Sequence, residues 1–151
     1  MRMLSPVLLV ALLAGSPCRG GDDSLGPRNF VFFNVERERI RGGDFLETDA
    51  LVGAQLKYTW RELEPEPGRY ELQPVLDDLR FLEAHGKRLF VQLQDVSFDE
   101  RINVPNYLIE DPAYGGGVAR KYEFEGDDES RPVFDGWVAR RWDPAVIDRF
   151  K

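Results

Sequence analysis

An α/β fold with a parallel sheet is the class this 151-residue sequence predicts, and three observations carry the prediction. Runs rich in β-branched and aromatic residues occur in the order strand, polar crossover, strand, helix, strand, an alternation that builds parallel strands through right-handed crossovers. Each run opens as an almost unbroken apolar stretch, as strands buried on both faces do. Each then turns polar on one face toward its C-terminal end.

The elements follow in chain order. Residues 1–20, "MRMLSPVLLVALLAGSPCRG", carry the parts of a secretory signal peptide: basic Arg2, an apolar run from Val7 to Ala14, then small residues. That run is too short to span a bilayer, and no later segment is apolar enough to do so. An exported bacterial protein is expected, secreted or periplasmic. Cys18, the only cysteine, excludes a disulfide framework. Its place after the apolar run fits the lipid-anchored cysteine of a bacterial lipoprotein, although Ser16 and Pro17 replace the usual ending of such signals; otherwise Cys18 leaves with the signal or stays unpaired in the tail. Residues 21–28 read as a polar linker.

"FVFFNVE" then predicts strand one over Phe30–Val35, and "ALVGAQLKYTW" predicts strand two over Leu51–Tyr58. Between strand two and the helix, "RELEPEPGRYELQ" has the Pro and Gly content of a loop. Pro74 suits the first position of a helix, where its missing N–H is not needed. From there Val75, Leu76, Leu79 and Leu82 recur at helical spacing, and Gly86 stands where a C-terminal cap belongs. Strand three, Arg88–Gln94, follows at once.

Alternate residues of a strand share a face. One face therefore collects Phe30, Phe32, Asn34 and Glu36 from strand one, Gly53, Gln55 and Lys57 from strand two, and Phe90, Gln92 and Gln94 from strand three. In α/β sheets the C-terminal strand ends and the loops after them build the ligand site. Neutral amides offer both a donor and an acceptor, which suits a hydroxyl-rich ligand such as an oligosaccharide or polysaccharide. The opposing reading is that the glutamines mark only where the sheet meets water.

The segment "WRELEPEPGRYELQPVLDDLRFLEAHGKRLFVQLQD" resembles the stretch after the second strand in (β/α)8 glycoside hydrolases of the cellulase and beta-galactosidase kind. The resemblance is carried by Trp60, Glu64, Pro65, Gly68 and Tyr70. It implies an incomplete (β/α)8 TIM barrel, the first three parallel strands with their helices, over residues 29–151. "VPNYLIEDPAYGGGVAR" would then be the long third loop, and "RRWDPAVIDRF" the start of the third barrel helix, with Asp143 as cap and Pro144 at its first position. In such families the catalytic acid/base ends the fourth strand and the nucleophile ends the seventh, so this chain is expected to lack the catalytic pair. A whole barrel takes about 250 residues, so the chain is expected to be the N-terminal part of a longer protein, or else a small module that pairs with another chain.

Glu36, Gln55, Lys57, Trp60, Gln92, Gln94 and Asp95 are the candidate substrate-binding residues. Trp60, just beyond strand two, either stacks on a sugar ring or packs in the core. Pro65, Gly68 and Tyr70 shape the loop, and Glu64 holds it by hydrogen bonds. Other motifs fail. The single histidine, His85, closes a helix, where it complements the dipole. "YGGGVARK" lacks the ending of a phosphate loop, "GGDFLE" is no dinucleotide fingerprint, and "EGDDES" reads as an acidic turn between two short strands, "KYEF" and "RPVF". No cofactor and no metal are implied. The net charge of −7 becomes −9 once residues 1–20, which hold Arg2, Arg19 and no acid, are set aside; such an acidic chain is a poor ligand for nucleic acid. The alternative to a glycoside hydrolase-like protein is a non-catalytic surface or periplasmic protein that binds a glycan or a partner protein.

Overall fold

A computed structural model describes residues 28–34, 36–124 and 131–151. The expected signal peptide, Cys18, nearly all of the linker and the acidic stretch 125–130 lie outside the described residues. Three strands, β1 (Asn29–Asn34), β2 (Leu51–Thr59) and β3 (Arg88–Gln94), form a parallel sheet in the order β1-β2-β3. β3 has the bounds expected of it, and the other two differ by a residue.

The crossover from β1 to β2 contains a short 3-10 turn, Arg37–Arg41, and α1 (Gly43–Glu47). Its polar sequence conceals two apolar plugs, Ile40 and Phe45, which are buried against the sheet. β2 is followed directly by the short α2 (Trp60–Leu63), and a loop then leads to α3 (Gln73–Ala84). Pro74 lies in the first turn of α3. The helix ends as the sequence predicts: Gly86 is left-handed (φ 69°), its N–H reaches the carbonyl of Glu83 at 3.0 Å, and the Lys87 N–H reaches that of Leu82 at 2.8 Å. This double closure satisfies carbonyls that a helix end otherwise leaves open.

The face of β2 toward α3 carries Ala54, Leu56 and Tyr58, all fully buried with Leu82, Phe33, Ile40 and Phe45. Tyr58 takes its hydroxyl into this core because Asp78 of α3 accepts it at 2.9 Å. Burial and that neighbouring carboxylate push the phenol pKa above its ordinary range. Buried Lys87 is likewise satisfied, donating to the carbonyls of Thr48 and Leu51 at 2.9 and 2.8 Å.

The expectation of an incomplete (β/α)8 barrel is corrected here. After α4 (Asn106–Glu110) the chain does not return to the parallel sheet. It forms a separate two-stranded antiparallel sheet, β4 (Val118–Phe124) with β5 (Pro132–Ala139), and then α5 (Pro144–Phe150). The fold of the described residues is mixed α/β: an open three-stranded parallel sheet, a two-stranded antiparallel ribbon and five short to medium α-helices. The physical reason is local pairing. Strands "KYEF" and "RPVF" are close enough in sequence to pair with each other, which a barrel's strand–helix alternation does not allow.

The ribbon docks on the chain just beyond β3. Val96 bridges Val138, and the Ser97 N–H donates to the Trp137 carbonyl at 2.8 Å. Gly136 permits this approach: its φ is 101°, and a Cβ there would lie 2.4 Å from the Ser97 carbonyl oxygen. α5 is capped by Asp143, whose carboxylate accepts from the Ala145 N–H at 3.0 Å. It packs into a second core of Trp60, Val104, Leu108, Ala139 and Val146, not along the sheet as a third barrel helix would.

Candidate functional site

The shared polar face exists in the fold. In the parallel register Lys57 stands beside Gln92 and Thr59 beside Gln94, so their side chains leave the same side of the sheet. Gln55 Nε2 donates to Gln92 Oε1 at 2.6 Å. That bond closes the two amides on each other in the middle of the face. Toward the C-terminal strand ends the face opens into a cleft of about 460 Å³.

Each strand contributes to the cleft: Asn34 from β1, Lys57 and Thr59 from β2, Gln94 from β3. Asn34 is the one non-glycine residue with positive φ (58°) among the described residues. Asn tolerates this region better than most side chains, and the twist it introduces ends β1 and turns the chain into the Arg37–Arg41 turn. Arg37 lines the cleft from that turn. Its guanidinium lies 4.9 Å from the Tyr58 ring centroid and 3.9 Å from Asp78.

The opposite wall is the loop after β3, with Ser97, Phe98, Asp99, Arg101 and Asn103. Hydrogen bonds hold this loop. Asn103 Nδ2 donates to the Val96 carbonyl at 2.8 Å, Ser97 Oγ accepts from the Trp137 N–H at 3.0 Å, and Asp99 Oδ1 accepts from the Arg101 N–H at 2.8 Å. Phe98 is 64% exposed at the rim, and the Lys121 ammonium stands 4.1 Å from its ring centroid.

Glu62 completes the lining. Its Oε2 accepts from both the N–H and the hydroxyl of Thr59, each at 2.9 Å, while Thr59 Oγ1 accepts from the Glu62 N–H at 3.1 Å. This is a capping box at the start of α2. The two carboxylates of the cleft, Glu62 and Asp99, are thus both engaged with the backbone. Lys57, Asn34 and Gln94 differ from them. Among the described residues none of the three has a side-chain hydrogen bond or ion pair, and Lys57 has only the Phe32 ring, 5.1 Å from its ammonium.

Of the residues expected at the site, Lys57 and Gln94 line the cleft, and Gln55 and Gln92 lie on the same face below it. Glu36 does not join them. The left-handed turn at Asn34 breaks the strand alternation before Glu36, which is exposed and paired with Arg39 at 3.0 Å. Asp95, one residue past Gln94, has the opposite parity and is buried beneath β5 at 6% exposure. Arg141 Nε approaches its Oδ2 to 2.9 Å without hydrogen-bond alignment. Burial raises the Asp95 carboxyl pKa, and the Arg141 charge opposes that rise only in part.

The sugar-stacking reading of Trp60 is corrected. Trp60 is 3% exposed in the second core, edge-on to Phe150 at 4.9 Å between centroids. Its Nε1–H donates to Glu64 Oε2 at 2.9 Å. Glu64 is the loop anchor the sequence suggests, for its Oε1 also accepts from the Gly68 N–H at 2.9 Å and from Arg149. Burial alone would raise its pKa. The donors from Gly68, Trp60 and Arg149 outweigh burial and hold the carboxyl below the usual range.

Sequence reasoning missed Arg37 and the whole 97–103 wall. Only the Thr59–Glu62 spacing had a readable signal, that of a capping box. Among the described residues no cluster of three or more His, Cys, Asp or Glu side chains could hold a metal ion, and no helix is long and apolar enough to cross a membrane. No protein-family model matches this chain, and no curated protein sequence matches it.

Proposed function

We propose that the cleft at the C-terminal edge of the parallel sheet binds carbohydrate, as a recognition site without turnover. One observation carries the reading: three strand ends deliver side chains with unused hydrogen-bonding capacity, Asn34, Lys57 and Gln94, into one crevice beside an exposed aromatic ring. Sugars need that combination, since their hydroxyls take donors and acceptors together and their C–H faces stack on rings. Phe98 takes the stacking place that Trp60 leaves. Binding without hydrolysis is proposed from the engagement of Glu62 and Asp99, which leaves no opposed pair of free carboxyl groups in the cleft among the described residues. The same reading treats the protein as exported, on the pattern of Arg2, the Val7–Ala14 run and the small residues after it, and as related in its β2–β3 segment to glycoside hydrolases.

The test is titration with neutral and acidic oligosaccharide panels, followed by heteronuclear NMR of the full chain. Ligand-dependent shifts should centre on Asn34, Lys57, Gln94 and Phe98. Phe98→Ala should weaken binding by about 0.5–1.5 kcal/mol, up to roughly tenfold in Kd. Shifts that map instead to β4 and β5, or no shifts with any saccharide, would remove the carbohydrate reading. Release of reducing sugar above background would overturn the non-catalytic part alone.

A further inference from the structure

We infer that the preferred ligand of the cleft is an acidic sugar, one whose carboxylate or sulfate group is received by Lys57 with Arg37 and Arg101 beside it; this rests on the carbohydrate reading above. The charge of the cleft runs against that of the chain. The protein as a whole carries −7, yet the charged side chains lining this crevice are three cations, Arg37, Lys57 and Arg101, and two anions, Glu62 and Asp99. Four of these five already have a counterpart. Arg37 faces Asp78 at 3.9 Å, Arg101 faces Asp99 at 3.7 Å, and Glu62 turns its Oε2 onto the N–H and hydroxyl of Thr59.

Lys57 is the remaining charge. It is half-buried on the central strand, and among the described residues no carboxylate comes within ion-pair distance of its ammonium. A partly desolvated cation of this kind is unfavourable in the empty protein and gains most from an anion that brings its own charge. The two guanidinium groups sit at ion-pair lengths too long for good hydrogen bonds to Asp78 and Asp99, so their N–H donors can turn to a ligand's oxygens. Gln94 and Asn34 on either side of Lys57 then read the neighbouring hydroxyls. A neutral sugar would take hydrogen bonds from the amides and from Lys57 but would leave the Lys57 charge unanswered. Two groups of the cleft oppose an anion, and both are engaged: Glu62 turns its Oε2 onto Thr59, and Asp99 Oδ1 accepts from the Arg101 N–H.

The experiment compares three probes on the full 151-residue chain by isothermal titration: tri-galacturonic acid, its methyl ester as the uncharged twin, and a sulfated galactose trisaccharide. The acid or the sulfate should bind about tenfold or more tightly than the ester, as a charge-assisted contact implies. That advantage should collapse in roughly 1 M sodium chloride, where the screening length is about 3 Å. Lys57→Gln should remove most of the advantage, read as the ratio of acid or sulfate affinity to ester affinity. Whichever anion binds more tightly identifies the group received. Equal binding of acid, sulfate and ester would overturn the inference while the carbohydrate reading stands. Absence of binding by all three would overturn the inference, and the oligosaccharide panels then decide the carbohydrate reading separately. An acidic preference that survives Lys57→Gln and high salt would also overturn it, because the charge would then be read elsewhere; the salt series decides even if the variant fails to fold.

Discussion

In the parallel-sheet region, Ala54, Leu56 and Tyr58 of β2 meet Leu82, Phe33, Ile40 and Phe45, and the buried polar groups join neighbouring elements, Asp78 to the Tyr58 hydroxyl and Lys87 to the Thr48 and Leu51 carbonyls. Around the antiparallel ribbon a buried charge joins segments much farther apart in the chain. Trp60, Val104, Leu108, Ala139 and Val146 form a smaller apolar cluster, and beside it stands an ionised group, Glu64, 2% exposed, that joins the β2–α3 loop to α5 through Trp60, Gly68 and Arg149. A core made of alternating apolar residues fixes which way a sheet faces. A core tied by one carboxylate fixes which distant segments must meet. The cleft lies on the sheet's other face and takes its wall from the ribbon side, so its shape depends on both.

The largest effect expected from this contrast is at Glu64. Glu64→Ala strands a buried indole N–H, a backbone N–H and a guanidinium, and should cost about 3–5 kcal/mol. Leu82→Ala, at the centre of the other core, should cost about 2–5 kcal/mol through lost contacts and the cavity left behind. Urea unfolding followed by tryptophan fluorescence checks both. If Glu64→Ala proves nearly neutral while Leu82→Ala is severe, the second region is held by its apolar residues after all, and the contrast fails.

A smaller effect is expected with pH, and it has opposite signs at two buried carboxyls of the ribbon side. The Glu64 pKa is lowered by folding, so its contribution is complete above the unfolded value of about 4.3 and is lost as pH falls through the folded one. The Asp95 pKa is raised by folding. Between the unfolded value of about 3.9 and the higher folded one, the native state holds more protons, so its contribution declines as pH rises through that window. Urea midpoints taken from about pH 3 to pH 7 should show Glu64→Gln flattening the acid limb and Asp95→Asn removing a decline with rising pH. Two variants that flatten the same limb would show that Arg141 answers Asp95 as fully as Arg149 answers Glu64.

The smallest effect separates the two glutamines of β3. Gln92→Leu removes the acceptor of Gln55 and should cost about 0.5–1.5 kcal/mol. Gln94→Leu breaks no bond within the protein and should stay within about 0.5 kcal/mol, while weakening saccharide binding. If both lose stability equally, Gln94 serves the fold and the cleft loses one of its readers.

The parallel-sheet region was legible because its information is local. α3 announces itself by spacing and by Gly86, β3 by an unbroken run, and the common polar face by parity along each strand. Glu64 was legible as a loop anchor from the Pro and Gly around it. The ribbon side was not legible in the same way. Trp60 meets Phe150 across ninety residues of chain, and nothing in the residues beside Trp60 reveals that contact. Residues 97–103 have no period because their order comes from hydrogen bonds to Trp137 and Val96. The barrel expectation extended the strand–helix alternation beyond the point where the chain changes to a hairpin. Glu36 was misplaced by a single residue in an unusual conformation, Asn34, which resets the parity after it.

The Glu64–Arg149 pair has a consequence for the order in which the protein is made. Its partners are 85 residues apart. During synthesis β1, β2 and α3 emerge with their own apolar partners already in hand, and β3 can join them as it leaves the ribosome. Glu64 emerges with that group and must wait. Until residue 149 has been added, its carboxylate has only Trp60 and Gly68 to answer it, and the loop that carries it stays open to water. Closing so long a loop has an entropic cost that is met only when the contact forms. α5, which leaves the ribosome some 85 residues after Glu64, therefore seals the loop that carries it.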